Sequence, residues 1–502
     1  MHLASLLDMV ESGFSDRALL EGPDGPVTGA DLGRLASGGA TTLSPTGGLV
    51  YVGENHPLLP VAVFAAARAG VPFIPVNYRL DDAQLIELID RYPDADVLTD
   101  EASAPRVGAH RDVRVLDDWL AALPSSAPIG EAPDDDTAVA VVLFTSGTTS
   151  APKSALLRHR HLMAYLLNTV TFGGASPDEA ALVAVPPYHV AGMANMFSNL
   201  FAGRRLVYLR RFDPDEWLRT VRDERITNAM VVPTMLVRIV DALAGRTADV
   251  PTLRSLSYGG ARISERAVRD AVRLFPGVDF VNAYGLTETA STIAVLGPDD
   301  HRRAIESDDP DAIRRLGSAG RILPAVEVEI RDDVGTPVPP GVPGLIYVRG
   351  EQVAGEYATG SVLDADGWFS TRDRGWLDEG DYLFIEGRAD DTIIRGGENI
   401  APAEIEEALC SHPGVKEACV VGVPDDEWGQ RIEAAVVLEP GASVAPEELV
   451  DHVRGRLRRS KTPDSVVIRD ALPYTPTGKL LRRQVLQELS DDGGTPSTKR
   501  ED

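Results

Sequence analysis

Hydroxyl side chains, a glycine and a lysine follow one another at residues 144–154, directly after an apolar run. Backbone N–H groups and small hydroxyls in such a loop can surround phosphate oxygens, and Lys153 can neutralise their charge. The segment differs from the P-loop of NTPases, because Pro152 stands where that pattern requires its second glycine. These residues therefore predict a phosphate-binding loop of another kind. The alternative is a surface turn rich in serine and threonine.

A second segment whose side chains could take part in a reaction lies at residues 282–288, again after a predicted strand. Glu288 can ligate Mg²⁺, a hard cation that prefers carboxylate and phosphate oxygens. Thr287 can bind a phosphate, and the ring of Tyr284 can stack on a base. The alternative is a solvated glutamate that follows a turn.

Three further segments place charged side chains beside turn residues. Asp373 lies between tight turns and can accept both hydroxyls of a ribose, with Arg388 assisting. The adjacent glycines Gly396 and Gly397 permit a close approach of the backbone to a ligand. Lys479 lies on a loop stiffened by proline and glycine, so it can be delivered to a reaction centre. For Asp373 and Arg388 the alternative is a turn aspartate and a surface arginine, and for Lys479 it is a surface lysine before a basic helix.

The elements that must position these residues alternate between apolar β-type runs and helical patterns. Such alternation predicts an α/β fold in which parallel sheets carry helices on both faces. Strands are predicted at residues 72–76, 96–99, 139–144, 229–232, 255–258 and 279–282, and helices at 57–70, 81–92, 214–225, 234–244 and 264–275.

The pattern changes after about residue 317, where short strands at 326–331, 344–349 and 382–386 are separated by turns rich in glycine and proline. A small β-barrel-like subdomain is therefore expected at about 317–389, within a large N-terminal domain at 1–389. A new α+β unit at 390–490 forms a small C-terminal domain, with helices at 402–411 and 446–459 and strands at 418–422 and 433–438. The polar tail at 491–502 is expected to be disordered.

Composition excludes several classes of function. Lys and Arg total 49 and Asp and Glu total 76, for a net charge of −27, which argues against general binding to nucleic acid or an anionic membrane. The most apolar run, at residues 61–76, is broken by Arg68, Gly70 and two prolines, so no membrane span is predicted. No signal peptide is recognised, and two cysteines cannot form a disulfide framework. A cytoplasmic location is the expectation.

Taken together and in this order, the motifs resemble those of the adenylate-forming superfamily, in particular its branch of acyl-CoA synthetases and acid–CoA ligases. The resemblance covers about residues 10–488. It implies that ATP and a carboxylic acid form an acyl-adenylate and pyrophosphate, and that a thiol, usually that of coenzyme A or a carrier protein, then accepts the acyl group. It also implies that the C-terminal domain swings about a hinge residue, Asp390, between the two half-reactions.

The resemblance assigns roles residue by residue. Lys479 would bridge the attacking carboxylate and the α-phosphate, where like charges must be brought together. Thr287 would contact the α-phosphate, Glu288 would ligate Mg²⁺, and Asp373 and Arg388 would hold the ribose. The β- and γ-phosphates would lie against Thr145, Ser146, Gly147, Thr148, Thr149 and Lys153, and adenine against Gly259, Gly260, Ala261, Asn282, Ala283 and Tyr284.

Residues 187–192 match the aromatic-plus-histidine motif at the acyl tunnel of the family, so they are expected to lie near the acid substrate. His189 is interpreted as a pocket gate rather than a general base, and the alternative is a neutral packed histidine. No acidic residue occurs at 190–199, and a buried ammonium without a partner would cost several kcal/mol. An apolar acid, with room for a bulky group, is therefore predicted and a free amino acid is not. The predicted wall includes Val190, Gly192, Met193, Met235 and Gly259.

The chain departs from the family pattern in three places. Ser150 and Ser154 replace the two late glycines of the phosphate loop, and Arg372 stands where relatives have a glycine before the ribose aspartate. Near the region that meets coenzyme A, Ser460 replaces an aromatic residue and Asp464 adds a negative charge, although arginines at 456, 458 and 459 can compensate. The residues that frame the thiol channel in relatives, Gly396, Gly397, Glu398 and Trp428, are present.

These departures leave alternatives to a complete CoA ligase. One is an enzyme that only adenylates and passes the acyl-adenylate to a partner ligase or carrier protein. Others are a non-catalytic acyl-adenylate or nucleotide-binding relative and a luciferase-like oxidase. Lys153, Glu288, Asp373 and Lys479 are all present, which counts against a dead site.

Overall fold

The first third of the chain builds a helical layer and the start of a parallel sheet. The computed structural model describes residues 1–124, 134–145, 152–425, 427–475 and 480–492. The elements up to residue 124 are α1 (Leu3–Gly13), β1 (Ala18–Gly22), β2 (Gly25–Thr28), α2 (Gly29–Ala40), β3 (Leu49–Val52), α3 (Leu59–Ala69), β4 (Phe73–Val76), α4 (Asp82–Ile89), β5 (Asp96–Thr99), α5 (Ala104–Gly108), β6 (Arg114–Val115) and α6 (Leu116–Ala121). The Asp81 carboxylate accepts the Gln84 N–H at 2.9 Å and caps the start of α4.

The middle of the chain continues the alternation of strand and helix. Its elements are β7 (Val139–Thr145), β8 (Lys153–Arg158), α7 (His159–Thr169), β9 (Ala180–Val183), α8 (Val190–Ala202), β10 (Arg205–Tyr208), α9 (Pro214–Asp223), β11 (Asn228–Val231), α10 (Pro233–Leu243), β12 (Ser255–Gly259), α11 (Glu265–Leu274), β13 (Asp279–Leu286), β14 (Ser291–Leu296), α12 (Pro298–Glu306) and α13 (Pro310–Arg315). Every strand and helix predicted between residues 139 and 282 is present within one or two residues at most ends, but β13 extends four residues further, to Leu286. Residues 282–286 of the second segment singled out above therefore lie on β13.

The remaining elements are β15 (Gly320–Ile322), β16 (Glu327–Arg331), β17 (Gly344–Arg349), β18 (Glu356–Tyr357), β19 (Gly360–Ser361), β20 (Phe369–Leu377), β21 (Tyr382–Arg388), β22 (Ile393–Arg395), β23 (Glu398–Ile400), α14 (Pro402–Cys410), β24 (Val415–Asp425), β25 (Gly429–Leu438), α15 (Pro446–Arg454), β26 (Ser465–Arg469) and α16 (Arg482–Asp492). The helix predicted to reach residue 459 ends at Arg454, and residues 459–461 form a separate 3-10 turn. Of the predicted tail, residues 493–502 lie outside the described part of the chain.

Two large sheets form the N-terminal domain. Among the described residues, the first sheet has the order β19-β18-β8-β7-β4-β3-β5-β6, and β3 to β7 run parallel. The second has eleven described strands in the order β10-β9-β11-β12-β13-β14-β15-β21-β20-β17-β16. It is parallel from β10 to β13 and antiparallel from there on.

The predicted β subdomain is therefore joined edge to edge with this second sheet rather than closed on itself. Hydrogen bonds from β14 to β15 and from β15 to β21 make the connection. The subdomain still has its own hydrophobic cluster, in which Ile346, Val348 and Leu383 are fully buried. The strands β20 and β21 therefore belong to the same sheet as β12 and β13, so a ligand bound near β20 and β21 contacts that sheet.

The C-terminal domain is a three-layer unit. Its sheet, in the order β24-β25-β26, has α14 and α15 on one face and α16 on the other. Alternate residues of β24 serve the two faces, since Val420 packs with α14 whereas Cys419 packs with α16. Both cysteines, Cys410 and Cys419, are free thiols in this domain. Burial raises the pKa of each thiol to about 12.

The apolar run at residues 61–76 is divided between α3 and β4. Both elements belong to the interior of the N-terminal domain, where Val61, Phe64 and Ile74 are fully buried. In the part of the chain that the structure describes, no helix combines the length and the apolar character that crossing a membrane requires.

Ionic contacts join the two domains at the ends of α10 and α11. Ion pairs between described residues cross the boundary there: Lys416 with Asp241 at 2.7 Å, Arg266 with Glu439 at 3.0 Å, and Arg262 with Glu407 at 3.5 Å. Arg266 also donates to the backbone carbonyls of Pro413 and Val415. This contact between the domains is polar. Because its charged groups are partly exposed, salt can weaken it.

Candidate active site

Asp373 and Arg388 face each other across neighbouring strands. They are register partners on β20 and β21, and the Arg388 guanidinium donates to Asp373 Oδ1 at 3.0 Å. The hydroxyl of Tyr284, at the end of β13, donates to Asp373 Oδ2 at 2.5 Å. Burial and the Asp373 carboxylate raise the pKa of Tyr284, so its hydroxyl stays protonated and remains a donor. The structure thus brings the predicted ribose pair and the predicted adenine residue into one hydrogen-bonded cluster, in which Asp373 is buried.

Glu288 lies one turn beyond this cluster, on the short 3-10 segment Thr287–Thr289. Its side chain is 7% exposed, and its carboxylate accepts the hydroxyl of Tyr357 in a short hydrogen bond. The Lys153 ammonium lies 5.4 Å from the centre of the same tyrosine ring, on which it can make a cation–π contact. Tyr357 therefore connects the lysine of the predicted phosphate loop with the predicted magnesium ligand.

The ends of the predicted phosphate loop are fixed by a β-hairpin. Thr145 and Lys153 are partners in the antiparallel ladder of β7 and β8. β8 in turn pairs with β18, where Ala155 is opposite Tyr357, and the Ala358 N–H donates to the Ser154 carbonyl at 2.9 Å. The predicted phosphate-binding residues Ser146, Gly147, Thr148 and Thr149 lie outside the described residues.

The two predicted adenine segments meet at the carboxyl edge of the second sheet. Gly259 and Ala283 are register partners on β12 and β13, and a Cβ at position 259 would lie 2.1 Å from the Ala283 carbonyl oxygen. Gly260 has a φ of +86°, a left-handed conformation that favours glycine. Ala261 follows it, and Asn282 donates to the Ser318 carbonyl at 3.2 Å. Only glycine at 259 lets the two strand ends approach this closely.

His189 caps the start of α8 beside two tyrosines. Its ring centre lies 4.9 Å from that of Tyr188, which lies 5.8 Å from that of Tyr78. Burial, with a smaller contribution from Arg79, lowers the pKa of His189 to about 4, so the ring is neutral at pH 7. Its Nε2 atom is buried and has no hydrogen-bond partner among the described residues. A neutral, enclosed imidazole fits a gate or a packed histidine better than a general base.

The predicted acyl wall is divided between two hydrophobic clusters. Val190 is partly exposed, whereas Met193 is 2% exposed and packs with α1 and α3 in the first cluster. Met235, on α10, is partly buried against the second cluster. Gly192 is required by close packing, because a Cβ there would lie 2.4 Å from the Pro186 carbonyl oxygen.

Asp390 lies in the 3-10 turn Ala389–Asp391, which links β21 of the N-terminal domain to β22 of the C-terminal domain. Arg372, directly before the ribose aspartate, has a φ of +61°, and its guanidinium lies 3.9 Å from the Asp390 carboxylate. The unusual arginine therefore reaches the predicted hinge.

The residues of the predicted thiol channel lie on one face of the C-terminal domain. The Gly396 N–H donates to the Trp428 carbonyl at 2.8 Å, and a Cβ at 396 would lie 3.2 Å from the Trp428 ring. Gly397 has a φ of +82°, and Glu398 pairs with Arg458 at 2.9 Å. The indole of Trp428 is 47% exposed, which leaves this face open in the observed arrangement.

The charge of Asp464 is compensated by Arg395, which is not one of the three arginines that the sequence suggested for this role. Its carboxylate makes two hydrogen bonds of 2.8 Å with Arg395 and accepts the Ile432 N–H. The sequence could not reveal this pairing, because the partners are 69 residues apart and meet only through the sheet. The predicted catalytic residue Lys479 lies outside the described residues.

Comparisons with known proteins bear on the same segments. A family model described as AMP-binding enzyme matches residues 45–358, and one described as AMP-binding enzyme C-terminal domain matches residues 404–479. The chain belongs to the AMP-binding enzyme family. The first match spans the phosphate loop and Glu288, and the second ends at Lys479.

Individual relatives extend over nearly the whole chain. A feruloyl-CoA synthase from an Amycolatopsis species is 36% identical over 466 residues, covering 90% of this chain and 91% of that protein. An indoleacetate–CoA ligase from Aromatoleum aromaticum is 34% identical over 460 residues, covering 88% of each. The crystal structure of ATP-bound MatB from Rhodopseudomonas palustris has a TM-score of 0.86 at 26% identity, covering 98% of this chain and 100% of that one.

These matches confirm membership of the adenylate-forming superfamily, in its acid–CoA ligase branch. They also confirm the predicted enzyme class, an AMP-forming acid–thiol ligase, and the mixed α/β fold with a small C-terminal domain. The sequence interpretation missed Tyr357, although in the structure this residue contacts both Lys153 and Glu288. No local pattern marks Tyr357, and only the pairing of β8 with β18 brings it to the site.

Proposed function

We propose that this AMP-binding enzyme converts an apolar aromatic carboxylic acid and ATP into an acyl-adenylate and pyrophosphate, and then transfers the acyl group to coenzyme A. The observation that carries the proposal is the position of Tyr357, which contacts both Lys153 and Glu288. A cation over the ring of one tyrosine and a carboxylate bonded to its hydroxyl suit a bound triphosphate and its metal ion. The ribose pair, Asp373 and Arg388, lies on the same sheet.

In the proposed reaction the chain's own residues position charge around the phosphates. Lys153 would contact the β- and γ-phosphates, and Asp373 would accept the ribose hydroxyls while Arg388 keeps its carboxylate oriented. Lys479 would lie between the attacking carboxylate and the α-phosphate. Such fixed charges offset the repulsion between two anions and hold the geometry for in-line attack.

We propose that Mg²⁺ binds beside Glu288. Among the described residues no three His, Cys, Asp or Glu side chains converge to hold a metal ion, so Glu288 would hold Mg²⁺ together with oxygens of the bound nucleotide. One carboxylate together with phosphate oxygens is a donor set that Mg²⁺ takes readily. When bound, Mg²⁺ supplies neutralisation of phosphate charge, and the Tyr357 hydroxyl fixes the orientation of the Glu288 carboxylate toward it.

An aromatic acid is proposed for two reasons. Ferulate and indoleacetate, named for two relatives, are both carboxylic acids with an aromatic ring. In this chain the first turn of α8 is built from small apolar residues, and residues 190–199 contain no acidic side chain. A flat ring fits between such residues, whereas a charged amine would remain unpaired.

Coenzyme A is proposed as the acceptor, because both named relatives form CoA thioesters and Asp464 is neutralised by Arg395. A carrier protein or a partner ligase remains the second candidate. Ser460 supports it, since an aromatic residue that can stack on a nucleotide is missing there.

The test is the mass of the products. The protein is incubated with ATP, Mg²⁺ and a panel of aromatic and aliphatic carboxylic acids, with and without coenzyme A. The expected products are AMP, pyrophosphate and an aryl-CoA thioester, and Lys479→Ala should lose most of the turnover. Acyl-AMP that persists in the presence of coenzyme A would overturn the proposed acceptor. Absence of any adenylate would overturn the proposed activation.

A further inference from the structure

The strand β18 (Glu356–Tyr357) has only two residues, yet it carries the tyrosine of the candidate site. In the described part of the chain, the register between β18 and β8 consists of one residue pair, Tyr357 with Ala155. On its other side β18 pairs with β19, whose two residues are both exposed. Because a short strand pair is only marginally stable in water, side-chain contacts must help to fix the position of Tyr357.

Glu356 makes such a contact through a bidentate ion pair with Arg158. The guanidinium donates two hydrogen bonds of 2.7 Å to the carboxylate, from Nε to Oε2 and from Nη2 to Oε1. The Arg158 and Glu356 side chains are 26% and 21% exposed, so the pair is partly shielded from solvent. The hydrogen bonds from Arg158 lower the pKa of Glu356, which therefore stays ionised at pH 7. Arg158 is itself held in place, because it also donates to the Thr137 carbonyl. Two parallel hydrogen bonds between planar groups fix their geometry as well as their distance.

The ion pair and the tyrosine lie on opposite faces of the first sheet, near one of its edges. Side chains alternate along a strand, so Lys153 and Ala155 share one face of β8 and Arg158 lies on the other. Tyr357 is the partner of Ala155 and therefore lies on the face of Lys153, whereas Glu356 lies on the face of Arg158. The ion pair thus holds β18 from behind while Tyr357 faces the candidate site.

The chain segment that ends in β18 also holds the backbone of Glu288. The Ala354 and Gly355 N–H groups donate to the Glu288 carbonyl at 2.8 and 3.1 Å. Two residues further along, the Tyr357 hydroxyl donates to the Glu288 carboxylate. A shift of this segment would therefore move both the backbone and the side chain of the proposed metal ligand.

We infer that Glu356, paired with Arg158, is a positioning residue for adenylate formation. It fixes β18 so that the Tyr357 hydroxyl meets the Glu288 carboxylate in the orientation that binds the metal ion. The inference rests on the proposed function, in which Glu288 holds Mg²⁺. Since Glu356 and Arg158 lie on the far face of the strand, their effect on the reaction must pass through Tyr357.

Acid-dependent ATP–pyrophosphate exchange and its Mg²⁺ requirement test the inference. Glu356→Gln keeps the size of the side chain and removes its charge. It should lower the exchange rate about tenfold, the low end for loss of an outer partner of a metal ligand, and raise the Mg²⁺ concentration for half-maximal rate. The matched control is Glu327→Gln, on β16, which removes a carboxylate that accepts two hydrogen bonds from Arg349 at 3.0 and 2.6 Å. It should leave the rate and the Mg²⁺ requirement unchanged.

A double variant separates positioning through Tyr357 from a general structural role. In the Tyr357→Phe background, Glu356→Gln should change the Mg²⁺ requirement by no more than about twofold, because the hydroxyl that it positions is already absent. A wild-type Mg²⁺ requirement in the single variant Glu356→Gln, or an equal rise in both backgrounds, would overturn the inference but not the proposed activation. No exchange by the wild type with any acid would overturn both.

Discussion

The hydroxyl of Tyr357 holds the carboxylate of Glu288 in place. Tyr357 donates to it, and Lys153 lies against the ring of the same tyrosine. Tyr357→Phe keeps the ring and removes the donor, so the carboxylate gains freedom where the metal ion is proposed to bind. Because a hydrogen bond to a charged group contributes about 1.5–3 kcal/mol, ATP–pyrophosphate exchange should fall about tenfold or more. The Mg²⁺ concentration for half-maximal rate should rise.

The control for that variant is Tyr347→Phe, on β17, a tyrosine that packs against Arg331 away from the site. It should exchange pyrophosphate at the wild-type rate. An unchanged rate and an unchanged Mg²⁺ requirement in Tyr357→Phe would refute the proposed orienting role.

Arg372 adopts a backbone conformation that costs energy. Its φ of +61° is left-handed, which is unfavourable by about 1–2 kcal/mol for residues other than glycine. Arg372→Gly should therefore raise the melting temperature, because its exposed pair with Asp390 contributes less than the strain costs. The matched control is Arg374→Gly, two residues along the same strand, which should melt lower. A destabilised Arg372→Gly would show that the arginine contributes more than this ion pair.

At the scale of elements, α8 fixes the acyl region through one close contact. A Cβ at Gly192 would lie 2.4 Å from the Pro186 carbonyl oxygen and 2.9 Å from that of Val185. Gly192→Ala must therefore push α8 away from the end of β9. We expect a loss of about 1–3 kcal/mol in unfolding free energy, as for other overpacked sites, and a rise in KM for the acid larger than that for ATP.

Gly108→Ala is the control for Gly192→Ala. A Cβ there meets only a methyl group of Val113, at an ordinary 3.5 Å. It should preserve both stability and KM. Wild-type kinetics in Gly192→Ala would argue against α8 as a wall of the acyl pocket.

The elements also show what the sequence could predict and what it could not. Strands such as Asp96–Thr99 and helices such as Pro214–Asp223 were predictable, because short apolar runs and amphipathic periods are local signals. α8 was not predicted, since most of its sides are buried and it lacks a polar face. The position of the β subdomain in the second sheet was also missed, because strand pairing over long distances leaves no local signal.

The candidate site shows the same division. Asp373, Arg388, Tyr284 and Glu288 were identified from their motifs, and the structure places the first three in direct contact. Tyr357 and the pairing of Asp464 with Arg395 depend on chain segments that meet only after folding. The motifs therefore predicted which residues lie near one another, but they did not reveal which side chains pair with the carboxylates of Glu288 and Asp464.

At the scale of the whole molecule, ion pairs hold the C-terminal domain in the observed arrangement. Asp241→Lys and Lys416→Asp each replace the ion pair of 2.7 Å by two like charges that repel, and each should expose the linker Ala389–Asp391. For partly exposed groups we expect about a two- to fivefold faster limited proteolysis there. The double variant restores opposite charges and should return the rate to that of the wild type. Additive effects in the double variant would contradict a direct pairing.

Buried histidines should make the protein sensitive to mild acid. Burial lowers the pKa of His159 to about 3 and of His161 and His189 to about 4, from an ordinary value of 6.5. The folded state keeps these rings neutral, whereas the unfolded chain binds protons below pH 6.5. The contribution of these histidines to the free energy of unfolding is therefore fully present above pH 6.5, and it decreases as the pH falls toward 4. Urea midpoints measured from pH 8 to pH 5 should decrease, and a flat profile would refute the assignment.

The two native thiols have a practical consequence for observing domain rotation. Cys419 is buried in the C-terminal domain and Cys410 is partly buried, and burial raises the pKa of each thiol to about 12, so almost no thiolate forms at pH 7. Maleimide dyes should leave both unmodified. Engineered surface cysteines on either side of Asp390 could then be labelled in the native background. Single-molecule fluorescence would report the distance between the domains as each substrate is added.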